Sequence, residues 1–383
     1  MNICIVTSAS FPPAEGIGNY LYNLSQKFLA KDHQVTIMTR GDFGIKESYF
    51  YDDIRIVKSL YVPIYPFHVH LHSFFANRMF RSLEKQFDIV NFHTPLPPLI
   101  ETSLPIMTTV HTPMLVDTRF YESMDSGSLA AKIMGRYVSY PLELKLLKKS
   151  KIIATVSKSV ADELKEYHLD NKNCTVIGNG VDETRFSPAK NASSGDYILF
   201  TGRLTYRKGL FDLIECAKYI KDEYPEISFV VVGKGNLAPN LHKKVEQYGL
   251  KEKFRFLGYV DPKELVDIYR NARMFVMPSH YEGLPTVLLE AMSCGIPAIA
   301  TEVSGNLEVI KHCKNGLLIP PKSPRKMADA ISLLLEDQKL SKTLGENARR
   351  TILENYTWDM IYGKYLKCYQ CLLEDREPIT ELL

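Results

Sequence analysis

A doubly wound α/β fold in two domains is what the sequence predicts. Short apolar runs rich in β-branched residues alternate with amphipathic helical stretches, which is typical of parallel sheets with helices on both faces. With 383 residues, the chain is too long for one ordinary hydrophobic core. A polar, small-residue stretch at 187–196 precedes a fresh strand and indicates a domain boundary. Both halves are therefore expected to be Rossmann-like units.

The individual elements follow from these runs. In the first half we predict strands at 3–7, 34–39, 89–92, 107–110 and 152–156, and in the second half at 197–201, 228–232, 254–257, 274–277 and 298–301. Amphipathic stretches predict helices at 18–31, 157–167, 210–224, 262–271 and 325–335. We expect domains over 1–186 and 187–357, with a helical segment over 358–383 added to the first. A ligand is expected in the cleft between the domains, at the carboxyl ends of the strands.

Composition and targeting signals exclude several classes of protein. A formal net charge of +3 is too small to indicate a nucleic-acid partner. The 7 cysteines are scattered, which suits a reducing compartment, and the Cys368-x-x-Cys371 spacing has no second pair that would support a metal or redox site. The N-terminus lacks a basic signal region, and no apolar run reaches about 18 residues. We therefore expect a cytoplasmic protein.

Two glutamates, Glu282 and Glu290, lie eight residues apart around a predicted helix start. Pro285 suits the first helical position, and Gly295 suits the end of the helix. Glu282 is then expected in the loop and Glu290 inside the helix. Two carboxylates beside exposed N–H groups could hold hydroxyls of one ligand while the helix N-terminus holds its phosphate.

A strand-to-helix turn at the start of the second half carries Arg203 and Lys208. A forked guanidinium and a compact ammonium there suit a diphosphate, although a solvated charged turn is the plain alternative. The sequence has no Asp-x-Asp pair that would hold a diphosphate through Mg²⁺, so we expect no metal or other cofactor. It also lacks a P-loop and a Gly-x-Ser-x-Gly elbow, which argues against those nucleotidases and hydrolases.

The first half offers a glycine loop and a histidine at predicted strand ends. The loop, with Gly16 and Gly18, leads into a helix and could bring N–H groups against a ligand, or it could be a plain turn. It is not a Gly-x-Gly-x-x-Gly motif, since Leu21 occupies the third glycine's place. His111 follows a strand and is expected to point into the cleft, and His93 is a weaker candidate of the same kind.

Two surface regions of the first half also invite interpretation. The run 67–72 alternates like a strand and would place His68, His70 and His72 on one side, but nearby metal ligands of other types are missing. Aromatic and basic residues around 61–85 are consistent with a partly buried helix or with an acceptor or membrane surface. The segment 132–151 carries six basic residues against Glu143, which suits either a solvated face or a contact with anionic lipid.

Together these motifs resemble the retaining glycosyltransferases of family 4, which have two Rossmann-like domains in the GT-B arrangement. The resemblance covers nearly the whole chain, and it is carried by an ordered set of motifs: the early glycine loop, His111-Thr-Pro, Asn179-Gly-Val-Asp182, Gly202-Arg-Leu with Lys208-Gly, the Glu282 and Glu290 pair, and a closing crossover helix. One departure is Ile17, which separates two glycines that are adjacent in many members.

The resemblance implies a role for each matched residue. In the domain over 187–357, Arg203 and Lys208 would bind the donor diphosphate, Glu290 the ribose hydroxyls and Glu282 the donor sugar. In the domain over 1–186, which would bind the acceptor, His111 would contact the sugar near the reacting centre. The remaining donor contacts would come from Gly16, Gly18, Gly258, Tyr259, Val260, Gly283, Leu284, Pro285 and Thr286.

The implied function is a retaining, metal-independent hexosyltransferase. It would move a sugar from a nucleotide diphosphate sugar, with uridine favoured over guanosine, to a glycan, lipid-linked or small-molecule acceptor on the cytoplasmic side. Peripheral contact with the inner face of an anionic membrane is a further expectation. Two alternatives stay open: a nucleotide-sugar epimerase of the two-Rossmann type, and a non-catalytic subunit that binds nucleotide sugars.

Overall fold

The computed structural model describes residues 1–13, 16–41, 47–65, 67–120, 132–169, 174–189 and 195–376. The chain divides into two compact units. Unit 1 comprises Met1–Asn179 together with the segment that starts at Trp358, and unit 2 comprises Gly180–Thr357. The division falls just before the polar stretch at 187–196, of which 190–194 lie outside the described residues.

Unit 1 is built on an eight-stranded sheet in the order β3-β4-β2-β1-β5-β6-β7-β8. All neighbouring strands are parallel except β3 and β4, which form an antiparallel edge. The strands are β1 (Asn2–Thr7), β2 (Gln34–Arg40), β3 (Glu47–Tyr51), β4 (Ile54–Ser59), β5 (Ile89–His93), β6 (Ile106–Val110), β7 (Ile152–Thr155) and β8 (Cys174–Val176). The described helices are α1 (Gly16–Leu29), α2 (His68–Phe80), α3 (Met114–Asp117), α4 (Tyr140–Lys149), α5 (Lys158–Glu163) and, after unit 2, α13 (Trp358–Leu373).

The terminal helix α13 completes the core of unit 1. Its apolar face places Trp358, Tyr365 and Tyr369 in the cluster formed by α1 and the central strands, and all three side chains are buried. Lys27 on α1 adds an ion pair to Asp359, with a distance of 2.8 Å between Nζ and Oδ1. The aromatic periodicity of this segment therefore reflects its packing within the core of unit 1.

Unit 2 contains a six-stranded parallel sheet in the order β11-β10-β9-β12-β13-β14. Numbered from β9, this is the 3-2-1-4-5-6 order of the Rossmann fold, and the direction of winding reverses between β9 and β12. The strands are β9 (Tyr197–Thr201), β10 (Ser228–Val232), β11 (Phe254–Gly258), β12 (Met274–Met277), β13 (Ala298–Thr301) and β14 (Leu317–Ile319). The helices are α6 (Leu210–Ile220), α7 (Ala238–Gln247), α8 (Pro262–Arg270), α9 (Thr286–Ser293), α10 (Ser304–Val309), α11 (Pro324–Glu336) and α12 (Gln338–Asn355).

The predicted strands are confirmed, four of them to the residue and the others to within one residue at one end. They are nearly continuous apolar runs because parallel strands are buried on both faces. Helix ends differ more: the predicted helix 210–224 ends at Ile220, and the predicted helix 157–167 becomes α5 followed by a 3₁₀ turn over Leu164–Tyr167. The prediction that 67–72 alternates like a strand is wrong, since His68 begins α2.

Candidate active site

The loop between β12 and α9 carries the first of the two glutamates and is fixed at several points. The His280 N–H donates to the Arg207 carbonyl at 2.7 Å, and the Gly305 N–H donates to the Glu282 carbonyl at 3.0 Å. The His280 ring also contacts the Asp212 carboxylate, with a distance of 2.7 Å between Nε2 and Oδ2. The loop after β12 is thereby held against the turn after β9, at the point where the strand order reverses.

A buried ion pair lies at this point. The Lys208 Nζ lies 2.6 Å from the Glu282 Oε1, and the two side chains are 12% and 6% exposed. Burial alone would raise the pKa of Glu282, but the attraction of Lys208 and Arg207 outweighs it and lowers that pKa below its usual value. Glu282 is therefore ionised at neutral pH. The structure brings together two residues that the sequence predicted separately.

Glu290 lies inside α9 and has a different partner. The hydroxyl of Tyr269, on α8, donates to the Glu290 Oε2 at 2.8 Å, and the same hydroxyl lies 2.6 Å from the Thr201 Oγ1 at the end of β9. Burial raises the pKa of Glu290 to about 7, while the Tyr269 hydrogen bond and the charge of Arg185 oppose that rise. Glu290 as a whole residue is partly exposed.

The N-terminus of α9 differs in one detail from the sequence prediction. Pro285 is the N-cap with an extended backbone, and the helix begins at Thr286, so the prediction that Pro285 is the first helical residue is wrong. The predicted end is confirmed, because Cys294 is the C-cap and Gly295 has a positive φ of 74°. The Leu288 N–H donates to the Pro285 carbonyl, so the amides of Thr286 and Val287 head the helix and are suited to an anion.

Close backbone contacts bring the loops of this site together. Gly283 and Leu284 lie between Glu282 and α9, and a Cβ at Gly305 would come within 2.3 Å of the Gly283 carbonyl oxygen. Gly209 has a φ of 67°, and a Cβ there would come within 1.9 Å of the Pro278 carbonyl oxygen. Side chains at Gly209 and Gly305 would push these loops apart.

Two arginines give this end of unit 2 a positive charge. Arg203 is exposed, and its charge reaches Lys208 strongly enough to help lower the pKa of that lysine, although burial is the larger cause. The Arg207 guanidinium lies over the Tyr281 ring, 5.7 Å from its centroid. The predicted cationic turn is thus formed by Arg203, Arg207 and Lys208 together.

The predicted base-side residues lie at the same edge of the sheet, beyond β10. Gly258 ends β11 with a φ of 64°, and its carbonyl accepts from the Gly233 N–H at 2.7 Å. Tyr259 is 66% exposed and has the Lys234 ammonium 5.6 Å from its ring centroid. Val260 follows it and is partly exposed. An exposed tyrosine ring at the carboxyl end of a parallel sheet is available for stacking on a planar ligand.

The predicted site residues of unit 1 also lie at strand ends. His111 directly follows β6 and lies beside His93 at the end of β5, with 3.1 Å between the His93 Nδ1 and the His111 Nε2. Burial lowers the pKa of His111 to about 4, so its imidazole is neutral at neutral pH. Gly16 begins α1, and Gly18, two residues further on, is buried against Pro13.

A buried hydrogen-bond network connects these strand ends to α13. The Tyr20 hydroxyl lies 3.0 Å from the Tyr365 hydroxyl, which in turn lies 3.0 Å from the Thr109 Oγ1. The Tyr20 ring packs edge-on against His111, with centroids 4.9 Å apart. Helix α13 therefore helps to fix the position of His111 within unit 1.

The three histidines of α2 do not form the predicted row. Side chains two residues apart on a helix point in different directions, whereas side chains four residues apart share a face. His68 and His72 are accordingly buried while His70 is exposed, and the His72 Nε2 lies 2.9 Å from the Ser59 Oγ. Among the described residues, no group of three or more histidine, cysteine, aspartate or glutamate side chains is arranged to hold a metal ion.

A cavity of about 210 Å³ lies in unit 1 between α2 and α4. Apolar side chains form part of its wall, and His70, Lys145 and Lys149 contribute polar groups. Lys145, Lys148 and Lys149 are exposed on α4, whereas Glu143 points inward and is buried. The part of the chain that the structure describes has no helix long and apolar enough to cross a bilayer.

Sequence reasoning missed several residues that shape the site of unit 2. Tyr269 and Thr201 lie in apolar patterns that indicate only a helix and a strand, and His280 and Asp212 are far apart in sequence. A signal that could have identified Thr201 is its position as the last residue of a strand directly before the Gly202-Arg203 turn.

Comparisons with known proteins agree with this architecture. Residues 181–351 match the family model of the glycosyl transferases group 1, and residues 14–185 match that of Glycosyltransferase Family 4. An uncharacterized glycosyltransferase of Methanocaldococcus jannaschii is 27% identical, over 98% of this chain and 99% of its own length. A glycogen synthase of Mycobacterium tuberculosis is 24% identical, over 99% and 97%. The solved structure of a sucrose-phosphate synthase from Thermosynechococcus elongatus superposes with a TM-score of 0.82 at 20% identity, covering 98% of this chain and 99% of that one.

Two Rossmann-like units matched by these two family models define a glycosyltransferase of the GT-B fold. The chain belongs to the group 1 glycosyltransferases of family 4. The predicted enzyme class, a hexosyltransferase, is confirmed by the same comparisons.

Proposed function

We propose that the protein transfers a hexose from a nucleotide diphosphate sugar to an acceptor, with retention of configuration and without a metal ion or other cofactor. The observation that carries this proposal is the grouping of Lys208, Glu282 and the α9 N-terminus at the point where the sheet of unit 2 reverses its winding. In doubly wound sheets, ligands bind at that point. UDP-sugars are the first donors to test, and GDP-sugars are the second.

Positive charge and N–H dipoles suit the donor diphosphate. An ammonium group has three donors, so Lys208 can keep its contact with Glu282 and still donate to phosphate oxygens. Arg203 and the amides of Thr286 and Val287 add charge and donors, while Pro285 has no N–H to give. As the leaving group departs, negative charge grows on the diphosphate, and these preorganised groups stabilise it.

The two glutamates would hold the hydroxyls of the donor. Glu282, ionised and paired with Lys208, would accept from hydroxyls of the sugar, with Gly283 and Leu284 lining the same pocket. Glu290 would accept from the ribose, while Gly258, Tyr259 and Val260 would bracket the base. Since Glu282 is engaged by Lys208, it serves better as a positioning group than as a nucleophile, which favours attack by the acceptor hydroxyl on the same face that the diphosphate leaves.

Unit 1 would supply the remaining contacts. The neutral imidazole of His111 can donate or accept a hydrogen bond near the reacting carbon without adding charge. Gly16 and Gly18 would let the backbone at the start of α1 approach the phosphates. Acceptor contacts would come from residues 61–80, which include α2, and from residues 112–127, which include α3; of these, 66 and 121–127 lie outside the described residues.

The test is consumption of a panel of UDP- and GDP-sugars in excess EDTA, with products identified by mass spectrometry. We expect donor hydrolysis or transfer that persists in EDTA and falls at least a hundredfold in Lys208→Met and Glu282→Gln. Lys218→Met is the matched control, because Lys218 forms an exposed ion pair with Glu215 in the same unit. Full activity in Lys208→Met would refute the phosphate assignment, an isomerised donor without acceptor would indicate an epimerase, and binding without turnover would indicate a non-catalytic subunit.

We also propose that unit 1 makes a peripheral contact with anionic membrane through the exposed lysines of α4. Lys145, Lys148 and Lys149 are exposed on α4, and Lys145 and Lys149 line the same cavity as His70 of α2. Tyr65, three residues before α2, is 63% exposed. We expect binding to vesicles containing phosphatidylserine that weakens as salt rises. Equal binding to neutral vesicles would contradict this electrostatic account.

A further inference from the structure

Glu290 shares its environment with a tyrosine that none of the motifs includes. The Tyr269 hydroxyl lies 2.8 Å from the Glu290 Oε2, 2.6 Å from the Thr201 Oγ1 and 3.4 Å from the Val287 carbonyl oxygen. Tyr269 is 0% exposed, so its position is set by packing, including an edge-on contact with the Phe186 ring at 5.7 Å.

The directions of these hydrogen bonds follow from the number of protons available. An ionised carboxylate only accepts, and a tyrosine hydroxyl has one proton. The nearer Glu290 carboxylate takes that proton in preference to the Val287 carbonyl. Thr201 must then donate to the tyrosine oxygen, so a directed chain runs from Thr201 through Tyr269 to Glu290.

We propose that Tyr269 is a positioning residue for donor binding: it engages the Oε2 of Glu290, directs the Oε1 toward a ribose diol and favours the ionised carboxylate. The identity of the ligand rests on the proposed function, whereas the contact between Tyr269 and Glu290 does not depend on it. The carboxylate would accept from one or both ribose hydroxyls only while it is ionised. Tyr269 remains a donor at every relevant pH, because burial raises its pKa well above the usual value.

Other groups that face Glu290 do not replace Tyr269. Arg185 attracts the carboxylate, but it is exposed, and its guanidinium also donates to the Pro262 carbonyl. Cys294, the C-cap of α9, is a neutral thiol because burial raises its pKa to about 12. Of these three neighbours, Tyr269 is the one whose hydrogen bond to the Glu290 carboxylate is seen in the structure.

The first test needs no ligand. The carboxyl group of Glu290 is titrated by NMR in full-length protein labelled with ¹³C at glutamate Cδ, and Glu290→Gln identifies its signal. We expect a midpoint near pH 7 in the wild type and a midpoint about one pH unit higher in Tyr269→Phe, because a hydrogen bond to the charged form is lost. Tyr224→Phe is the control, since it removes an exposed tyrosine–glutamate hydrogen bond to Glu336. An unchanged midpoint in Tyr269→Phe overturns the proposal.

The second test measures UDP binding by calorimetry between pH 6 and 9. We expect Tyr269→Phe to bind roughly fivefold more weakly at pH 7, because a smaller fraction of its Glu290 is ionised, and to recover most of that loss at pH 9. A purely structural defect would weaken binding equally at both pH values and would count against the proposal. Since UDP itself titrates near neutrality, the difference from wild type is the quantity that is read.

The outcomes separate this inference from the proposed function. If the wild type and Tyr269→Phe bind UDP equally at every pH, the inference fails and the proposed function stands. If the NMR midpoint moves but no nucleotide or nucleotide sugar binds the wild type, the proposed function fails, and with it the role of Tyr269 in donor binding. Should Tyr269→Phe not fold, Thr201→Val decides: it removes the donor to Tyr269, and we expect a smaller shift of both readouts in the same direction.

Discussion

At the scale of single residues, the Lys208–Glu282 ion pair is the central feature of the candidate site in unit 2. Each side chain is nearly buried, so each charge depends on the other for compensation. The contact joins a turn after β9 to a loop after β12, and the two residues are 74 positions apart. Sequence motifs identified both residues, but their contact depends on strand order, which local patterns do not specify.

Removal of Lys208 is therefore expected to destabilise the protein as well as to impair catalysis. Lys208→Met leaves the Glu282 carboxylate buried without its partner, and we expect the free energy of unfolding to fall by about 3 kcal/mol. The double variant Lys208→Met/Glu282→Gln should recover part of this loss, because it removes the buried charge. Urea denaturation measures both, with Lys218→Met as the exposed control. A loss of the same size in Lys218→Met would contradict this explanation.

The turn between β9 and α6 shows how an element positions the site. Gly209 directly follows Lys208 and has a φ of 67°. The position that a Cβ atom would occupy at Gly209 lies against the Pro278 backbone. This approach is possible only without a side chain, and it sets the distance between the Lys208 turn and the Glu282 loop.

Gly209→Ala is expected to lower the free energy of unfolding by more than 3 kcal/mol. The methyl group would lie 1.9 Å from the Pro278 carbonyl oxygen, and the backbone would also be strained. Gly249→Ala is the matched control: Gly249 has a φ of 64°, and no atom lies within 4 Å of the added Cβ. We expect the control to cost about 1 kcal/mol in urea denaturation. An equal loss of unfolding free energy in Gly209→Ala and Gly249→Ala would contradict this explanation, because it would assign the whole effect to backbone strain and none to the contact with Pro278.

The buried Glu143 carboxylate connects helix α4 to the segment that follows His111 through hydrogen bonds. The Met114 N–H donates to the Glu143 Oε2 at 2.9 Å, and the Tyr167 hydroxyl also donates to it. Burial raises the pKa of Glu143 to about 7, despite these hydrogen bonds. The charge pattern of 132–151 suggested only a basic face and gave no sign of this inward contact.

The raised pKa of Glu143 has a defined effect on stability. Between about pH 4.5 and pH 7 the folded protein holds a proton on this group that the unfolded chain has released, so this contribution to stability is present below that window and is lost as pH rises through it. Its size is about 3 kcal/mol. Glu143→Gln cannot ionise, so we expect the free energy of unfolding to fall less from pH 4.5 to pH 7.5 in this variant than in the wild type. Parallel pH curves for the two proteins would contradict the prediction.

Elements were predictable from sequence where burial imposed a simple pattern. The β9, β10, β12 and β13 runs are bounded by turn residues and buried on both faces, so their ends were evident. Short edge strands such as β8 and β14, three residues each, carry too little pattern to be recognised. In α2, His68, His70 and His72 alternate with other residues as in a strand. The buried pair His68 and His72 is equally compatible with a helix, because helical residues four apart share a face.

At the scale of the whole molecule, each unit repeats one plan, in which candidate site residues follow the carboxyl ends of parallel strands. In unit 2 this plan brings Lys208, Glu282 and Glu290 to one edge of the sheet, and in unit 1 it brings His93 and His111 together. Motif order along the chain was sufficient to predict the fold, whereas the donor-binding roles of these residues stay predictions. The supporting contacts of Tyr269, Tyr20 and Tyr365 depend on packing between distant segments, and they could be identified only in three dimensions.

The central claim is that unit 2 binds a nucleotide diphosphate through charge and hydrogen bonds without a metal ion. Isothermal titration calorimetry of the full-length wild type with UDP and with GDP, in about 1 mM EDTA, tests this claim most directly. We predict saturable binding of one nucleoside diphosphate that is weakened at least tenfold in Lys208→Met and is unchanged in Lys218→Met. Binding that appears only when Mg²⁺ is added, or that is equally tight in Lys208→Met, would contradict the account.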